Sequence, residues 1–161
     1  LRRADRLVVM DRGHIVETAL EELLTEQALF VMERVNRQTH PIDRLFAQIC
    51  AVHAFHHGRE ARIVFLSQAI AASGERVKEI IDVGNRVFEA QRRATVELLE
   101  AGMANGSVVP CDAEALVNVI RALTDGLVAQ RVMTDLDLAP VHEFLWTHLL
   151  SPLKKTRKKK R

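Results

Sequence analysis

Residues 97–130 read ELLEAGMANGSVVPCDAEALVNVIRALTDGLVAQ, which is the end of one helix, a turn and the start of another helix. Gly106 suits the position after a last helical turn, because glycine adopts the left-handed backbone found there. Asp112 is a typical N-cap residue, since its carboxylate accepts hydrogen bonds from free N–H groups of the first turn. Apolar residues recur at three- and four-residue intervals on both sides, which predicts helices over 75–104 and 113–133.

The same periodicity continues away from this pair of helices in both directions. It predicts further helices over 19–36, 42–57, 59–72 and 141–150. The connections between them are short, which suits antiparallel packing of neighbouring helices. We therefore predict an all-α fold of about six helices, formed by residues 19–150.

The two ends of the chain differ from this helical region. In the predicted N-terminal extension, residues 1–18, the apolar runs at 7–10 and 14–17 flank a turn at Asp11-Arg12-Gly13, a pattern that predicts a short β-hairpin. Residues 151–161 are predicted to form a disordered, solvated tail. That tail holds seven basic residues, and removing them from the total of 23 leaves 16 basic against 21 acidic residues in the body. An acidic body is a poor surface for phosphate groups.

Composition narrows the class of protein. The chain has 161 residues, 48% of them apolar, which is enough for one core and excludes a mainly disordered state. No apolar run reaches the roughly eighteen residues that a membrane span needs. Cys50 and Cys111 are too few for a disulfide framework, so we expect a reducing, cytoplasmic location. Because the first residue is Leu rather than Met, we also expect the chain to be a piece of a longer protein.

From about residue 27 onward, the order of several short motifs resembles the C-terminal ligand-binding and dimerisation domain of TetR-type transcriptional repressors. The motifs that carry the likeness are Glu26-Gln27-Ala28-Leu29-Phe30, His40-Pro41-Ile42-Asp43-Arg44-Leu45, Glu97-Leu98-Leu99-Glu100-Ala101-Gly102-Met103-Ala104-Asn105-Gly106, Asp112-Ala113-Glu114-Ala115-Leu116 and Leu123-Thr124-Asp125-Gly126-Leu127-Val128-Ala129-Gln130. The resemblance implies a homodimer that senses a small apolar effector. It implies DNA binding only through a helix-turn-helix headpiece, which this sequence lacks.

The front of the chain resembles a different family. Residues 4–17, with Glu21-Glu22-Leu23-Leu24 after them, are similar to the end of an ABC-transporter ATPase domain. The Gly-rich phosphate loop of that fold is missing, so ATP binding is not predicted. Two alternatives to an effector-sensing domain therefore stay open. One is a remnant of a transporter ATPase, and the other is a helical interaction domain with no ligand.

Three histidines, His53, His56 and His57, are spaced so that they share one side of a helix. His53 and His56 continue an apolar stripe that includes Phe46 and Ile49, so we predict that they point inward. They could line an effector pocket, hold a metal, or satisfy carbonyl groups at the end of the helix. Apart from Glu60, one turn further on, no nearby cysteine or carboxylate could complete a metal set, and we predict neither a metal nor a cofactor. No pattern of nucleophile and base supports an enzyme.

The predicted effector cavity lies inside each protomer, between two helices. One carries Phe46, Ile49, His53 and His56, and the other carries Phe88 and Gln91. Gln91 interrupts an apolar stripe, so its amide either faces the cavity or bonds a neighbouring helix, because a buried amide needs a partner. Phe65 is expected to form part of the wall.

The helix over 113–133 has two apolar sides. Large residues are predicted to face the core, namely Leu116, Val119, Ile120, Leu123 and Leu127. Small residues on the other side permit close approach of a partner helix, which predicts a homodimer interface. The predicted interface residues are Ala115, Ala122, Gly126 and Ala129, together with Phe144 and Leu145 from the last helix.

Overall fold

The computed structural model describes residues 3–72 and 74–155, which form six α-helices. Their bounds are α1 Arg3–Val35, α2 Pro41–His56, α3 Glu60–Ala71, α4 Val77–Ala104, α5 Ala113–Thr134 and α6 Ala139–Phe144. A 3₁₀ turn precedes α4, and α6 runs on into a π-helical turn over Leu145–Leu150 and a 3₁₀ turn over Ser151–Leu153. The predicted all-α bundle of about six helices is confirmed.

Helix α2 is central, because it packs against α1, α4, α5 and the π-helical turn. Its residues Ile42, Leu45 and Ile49 are almost fully buried. Each large aliphatic side chain buried in this way stabilises the fold by about 1.5–3 kcal/mol. The remaining buried residues of this core are Val96, Leu99, Val108, Ala113, Val117, Ile120 and Leu150.

The start of α2 is fixed by His40 and Pro41. Pro41 occupies the first helical turn, where its missing N–H costs nothing. The Nδ1 atom of His40 accepts a hydrogen bond from the Ile42 N–H at 3.1 Å and thereby caps the helix. A neutral imidazole then carries its proton on Nε2, which donates to the Ser107 carbonyl at 3.1 Å. The cap therefore also ties α2 to the loop that follows α4.

That loop packs tightly against the end of α4. A Cβ atom at Gly102 would lie 2.6 Å from Cγ2 of Val108 and 3.0 Å from Cγ of Pro41. Gly106 has a φ of +76°, the left-handed conformation that glycine permits. Glycine is therefore needed at Gly102 for space and at Gly106 for backbone conformation.

Residues 151–155, which were predicted to belong to the disordered tail, are ordered and packed against this loop. Val109 N–H donates to the Leu153 carbonyl at 2.8 Å, and Lys155 N–H donates to the Ser107 carbonyl at 2.9 Å. The Lys154 ammonium donates to both oxygens of Asp43, at 2.7 and 2.8 Å. The rest of the predicted tail, residues 156–161, lies outside the described residues.

The predicted hairpin at residues 6–17 is wrong, since these residues lie inside α1. An isolated two-stranded hairpin is marginal in water, whereas extending an existing helix adds one hydrogen bond for each residue ordered. Gly13 weakens a helix by only about 1 kcal/mol and does not stop it. Helix α1 therefore begins at Arg3 rather than near residue 19, while the starts of α2 to α6 fall within two residues of their predicted positions.

None of the helices in the described part of the chain is long and apolar enough to cross a membrane.

Candidate functional site

A small cavity lies between α1, α2, α4 and α5. It has a volume of about 70 Å³. Its apolar floor is shared with the core and consists of Leu45, Ile49, Val117 and Ile120. The other lining residues are Gln27, Gln48, Val52, Phe88, Gln91, Arg92, Thr95, Arg121, Thr124 and Asp125.

Charged groups at the rim of the cavity are paired with one another. The Arg121 guanidinium lies 3.7 Å from the centre of the Phe88 ring, and its Nε atom is 3.4 Å from a carboxylate oxygen of Asp125. A cation over an aromatic face is attracted by the ring quadrupole, so this contact links α5 to α4 across the cavity. Arg92 donates to both carboxylate oxygens of Glu89 at 2.9 Å. The rim therefore presents little unpaired charge.

The hydroxyl groups in the wall are also occupied. Thr95 donates to the Gln91 carbonyl and Thr124 donates to the Ile120 carbonyl, each at 2.8 Å. These bonds run back along the same helix. The Gln48 and Gln91 side-chain amides, in contrast, make no hydrogen bond within the described residues, so they are available to a bound molecule.

The structure brings three of the predicted effector-site residues to this cavity, Ile49, Phe88 and Gln91. Gln91 is exposed at the cavity, so the prediction that it lies on a buried stripe is wrong. The prediction that Phe65 forms part of the wall is also wrong, because its side chain is 73% exposed on α3. Phe46 packs against Trp146 instead, with the ring centres 5.0 Å apart.

His53 and His56 are buried, which confirms that they point inward, but neither lines this cavity. His53 Nε2 lies 3.0 Å from the Thr124 carbonyl oxygen, and His53 Nδ1 lies 2.7 Å from Nε2 of His142. Burial lowers the pKa of His53 to about 4. His56 bonds the Gln27 amide oxygen through Nε2 at 2.8 Å, and burial lowers its pKa as well.

His57, in contrast, is exposed and contacts Arg131, which pairs with Glu60 at 3.1 Å. His53 and His56 of α2 and the adjacent His57 thus have three different sets of partners. No group of three or more His, Cys, Asp or Glu within the described residues is placed to hold a metal ion. The two buried imidazoles bond across to other helices rather than to carbonyls at the end of α2.

An open cleft lies beside the His53–His142 pair, at the ends of α2 and α5. Cys50, His57, Arg131 and Asp137 also line it. Burial raises the pKa of the Cys50 thiol to about 11, so this thiol is protonated at neutral pH. A protonated thiol is a weak nucleophile and a poor metal ligand.

Helix α5 is rotated relative to the prediction. Val117, Ile120, Thr124 and Val128 face the core, whereas Val119 is 49% and Leu123 is 37% exposed. The outer side carries apolar residues at alternating intervals of four and three, which we call the α5 outer stripe. Its members are Ala115, Val119, Ala122, Gly126, Ala129 and Met133, and all are exposed.

The predicted interface residues divide between surface and core. Ala115, Ala122, Gly126 and Ala129 belong to the α5 outer stripe, and a Cβ atom at Gly126 would meet nothing within 4 Å. Phe144 is 63% exposed on α6. Leu145 is only 6% exposed in the single chain, so it does not belong to an exposed surface as the prediction required.

Comparison of the chain with protein-family models, curated proteins and solved structures found no match in any of the three.

Proposed function

We propose that this chain is the effector-sensing and dimerisation domain of a TetR-type transcriptional regulator that acts in the cytoplasm. The observation that carries the proposal is the cavity between α1, α2, α4 and α5, with an apolar floor and two amides at its wall that have no partner among the described residues. An apolar recess with a few convergent polar groups is the usual form of a small-molecule site. The motif resemblance supports the same function, with DNA bound through a headpiece absent from this sequence.

The chemistry of the wall favours an effector that is uncharged and largely apolar. Arg92 and Arg121 are already paired with carboxylates, so a charged ligand would have to break one of these pairs. The Gln48 and Gln91 amides can both donate and accept, and thus suit a carbonyl, hydroxyl or ring N–H.

The cavity has to widen before it can hold such a molecule. Its volume of about 70 Å³ is well below that of a typical ligand pocket, which is roughly 300–1,000 Å³. The Arg121–Phe88 contact spans α5 and α4 at the rim, so its release is the simplest way to open the site.

The partner that suits the α5 outer stripe is a second copy of this chain. Residues at alternating intervals of four and three form a straight seam when two helices pack at a shallow angle. Small side chains at Ala122, Gly126 and Ala129 permit close approach, while Val119 and Met133 supply apolar area. Around a two-fold axis, α5 from each protomer would meet its equivalent, with Phe144 of α6 at the side.

A thermal-shift screen of neutral aromatic fragments, beginning with indole, tests the proposed effector site. A molecule that binds only the folded state raises the melting temperature by mass action. Gln91→Leu should weaken the shift given by a fragment that bonds this amide, and Gln38→Leu, at an exposed position outside the cavity, is the matched control. The proposal is contradicted if none of the fragments raises the melting temperature.

The small volume of the cavity favours a second candidate, a helical interaction domain with no ligand. In that case no fragment raises the melting temperature, while the α5 outer stripe still forms an interface. Light scattering coupled to size exclusion then separates an interaction domain from a monomer that has neither property.

A further inference from the structure

The pair formed by His53 and His142 holds the C-terminal segment to the rest of the bundle. His53 is on α2, and His142 is on α6, at the start of the segment 139–155. The two rings are nearly parallel, at 6°, and their nearest nitrogens are 2.7 Å apart. Through its other nitrogen, His53 reaches the Thr124 carbonyl of α5.

We propose that this pair is a proton-sensitive latch, which fastens α6, the first part of the segment 139–155, to α2 and α5 at neutral pH and releases it when both imidazoles are protonated. This inference does not depend on the proposed effector function, because none of its contacts requires a molecule bound in the cavity.

The hydrogen positions follow from the partners. The Thr124 carbonyl can only accept, so His53 carries a hydrogen on Nε2 and donates it over 3.0 Å. Neutral His53 then has a lone pair on Nδ1, and His142 must donate to it from Nε2 over 2.7 Å. One added proton leaves the hydrogen bond in place, because a neutral His142 can carry its hydrogen on Nδ1 and accept from His53 at Nε2. If both rings are protonated, two N–H groups face each other at that distance. The hydrogen bond would become a repulsion between two donors.

A first proton on His142 has a different effect. It would enter at Nδ1 and leave the Nε2–H free to donate to His53 as before. The latch therefore opens when both rings are protonated, and His53, which is 2% exposed, is the ring that gains the second of these protons. An imidazolium in this position has lost its water and gained no carboxylate partner, so the open state is the one that takes the proton.

The charges around the pair also disfavour the protonated state. Arg131 of α5 lowers the pKa of both imidazoles, and His56 of α2 lowers that of His53. Asp137, just before α6, acts in the opposite direction on His142. The other titratable groups beside the pair are Cys50, which burial keeps protonated, Asp135, which lines the same cleft, and His57 and Glu60, which both contact Arg131.

The pH window follows from the two states of His53. Its pKa is about 4 in the closed latch and returns toward the ordinary 6.5 when α6 is released. Opening therefore becomes more favourable throughout the interval between these values as the pH falls. Far below it, both states are protonated and the dependence ends.

Trp146 is a built-in reporter for this change. It is the only tryptophan, the chain has no tyrosine, and it lies within the segment 139–155. Its ring packs 5.0 Å from Phe46 of α2 in the closed arrangement. Trp146 directly follows α6, so release of α6 disturbs this contact, exposes the indole to water and shifts its emission to longer wavelength.

The experiment is a titration of the whole chain from about pH 7.5 to about pH 4, with Trp146 emission and far-UV circular dichroism recorded together. We expect the emission to shift within the His53 window while the helical signal stays constant. His53→Gln should abolish the shift, because an amide can donate to Thr124 and accept from His142 without titrating. His148→Gln, which removes an exposed imidazole two residues from Trp146, should keep the shift and controls for direct quenching.

The proposal is overturned if the emission shift persists in His53→Gln, or if it coincides with loss of the helical signal in the wild type. Should His53→Gln not fold, the pKa of His53 measured by NMR in the wild type decides instead. A value below about 5 supports a closed latch, and a value near the ordinary 6.5 overturns it.

Discussion

At the residue scale, Gly102 and Gly84 make a direct comparison within α4. The missing side chain of Gly102 faces Val108 and Pro41, whereas a Cβ atom at Gly84 would lie at an ordinary 3.8 Å from the Phe88 ring. Gly102→Ala should therefore lower the free energy of unfolding by about 1–3 kcal/mol through overpacking. Gly84→Ala should raise it by up to about 1 kcal/mol, because alanine favours the helix. Urea unfolding measures both, and equal midpoints for the two variants would contradict this packing.

His53 also predicts how stability depends on pH. Its pKa is about 4 in the folded state and close to 6.5 when unfolded. Above both values neither state binds the proton, while between them only the unfolded chain does, so the free energy of unfolding falls as the pH falls. The loss from this group between pH 7 and pH 5 is about 2 kcal/mol. Urea unfolding at the two pH values should give a smaller difference in His53→Gln than in His148→Gln, and an equal difference would contradict the assignment.

Residue orientation was only partly predictable from the sequence. His53 and His56 lie inward as their place on the apolar stripe indicated. On α5, apolar residues occur on both sides, so periodicity alone does not decide which side faces the core. The structure buries Val117 and Thr124 and leaves Val119 exposed. The Arg121–Phe88 contact lies between residues 33 positions apart on different helices, and no local pattern reveals it.

At the element scale, the helices with clear terminal signals were predicted well. Pro41, Asp112 and Gly106 mark ends that depend on local backbone chemistry, and these ends agree with the structure. Residues 6–17 carry no such signal, since two short apolar runs around a glycine fit either a hairpin or a helix. The choice between them depends on the structure of the adjacent residues, which here are helical.

The C-terminal segment provides a prediction for a single element. Lys154 bonds the Asp43 carboxylate at the start of α2, with both side chains partly buried. Lys154→Ala should lower the free energy of unfolding by about 0.5–1.5 kcal/mol, because the pair is bidentate and partly shielded from water. Lys155→Ala, at the next and exposed residue, is the matched control and should change little. Equal effects of the two substitutions in thermal unfolding would contradict a fastening role for Lys154.

At the scale of the whole molecule, the α5 outer stripe predicts the state of assembly. Light scattering coupled to size exclusion should give twice the chain mass of 18.2 kDa. Ala122→Glu with Ala129→Glu should give the single-chain mass, because two carboxylates would be buried without partners on each side of the interface. Ala94→Glu with Ala101→Glu has the same seven-residue spacing on an exposed side of α4 and should leave the dimer intact. A dimer that survives the α5 changes would rule out this interface.

We propose that a small neutral molecule binds between α1, α2, α4 and α5, and calorimetric titration of a cavity-filling variant decides whether it does. Val52→Phe places ring carbons into the cavity, whereas Val87→Phe makes the same change at a residue outside its lining. With the fragment that gives the largest thermal shift, we predict at least about tenfold weaker binding to Val52→Phe, a loss of about 1.4 kcal/mol. Binding to Val87→Phe should equal that of the wild type. Unchanged affinity in a folded Val52→Phe variant would contradict the claim.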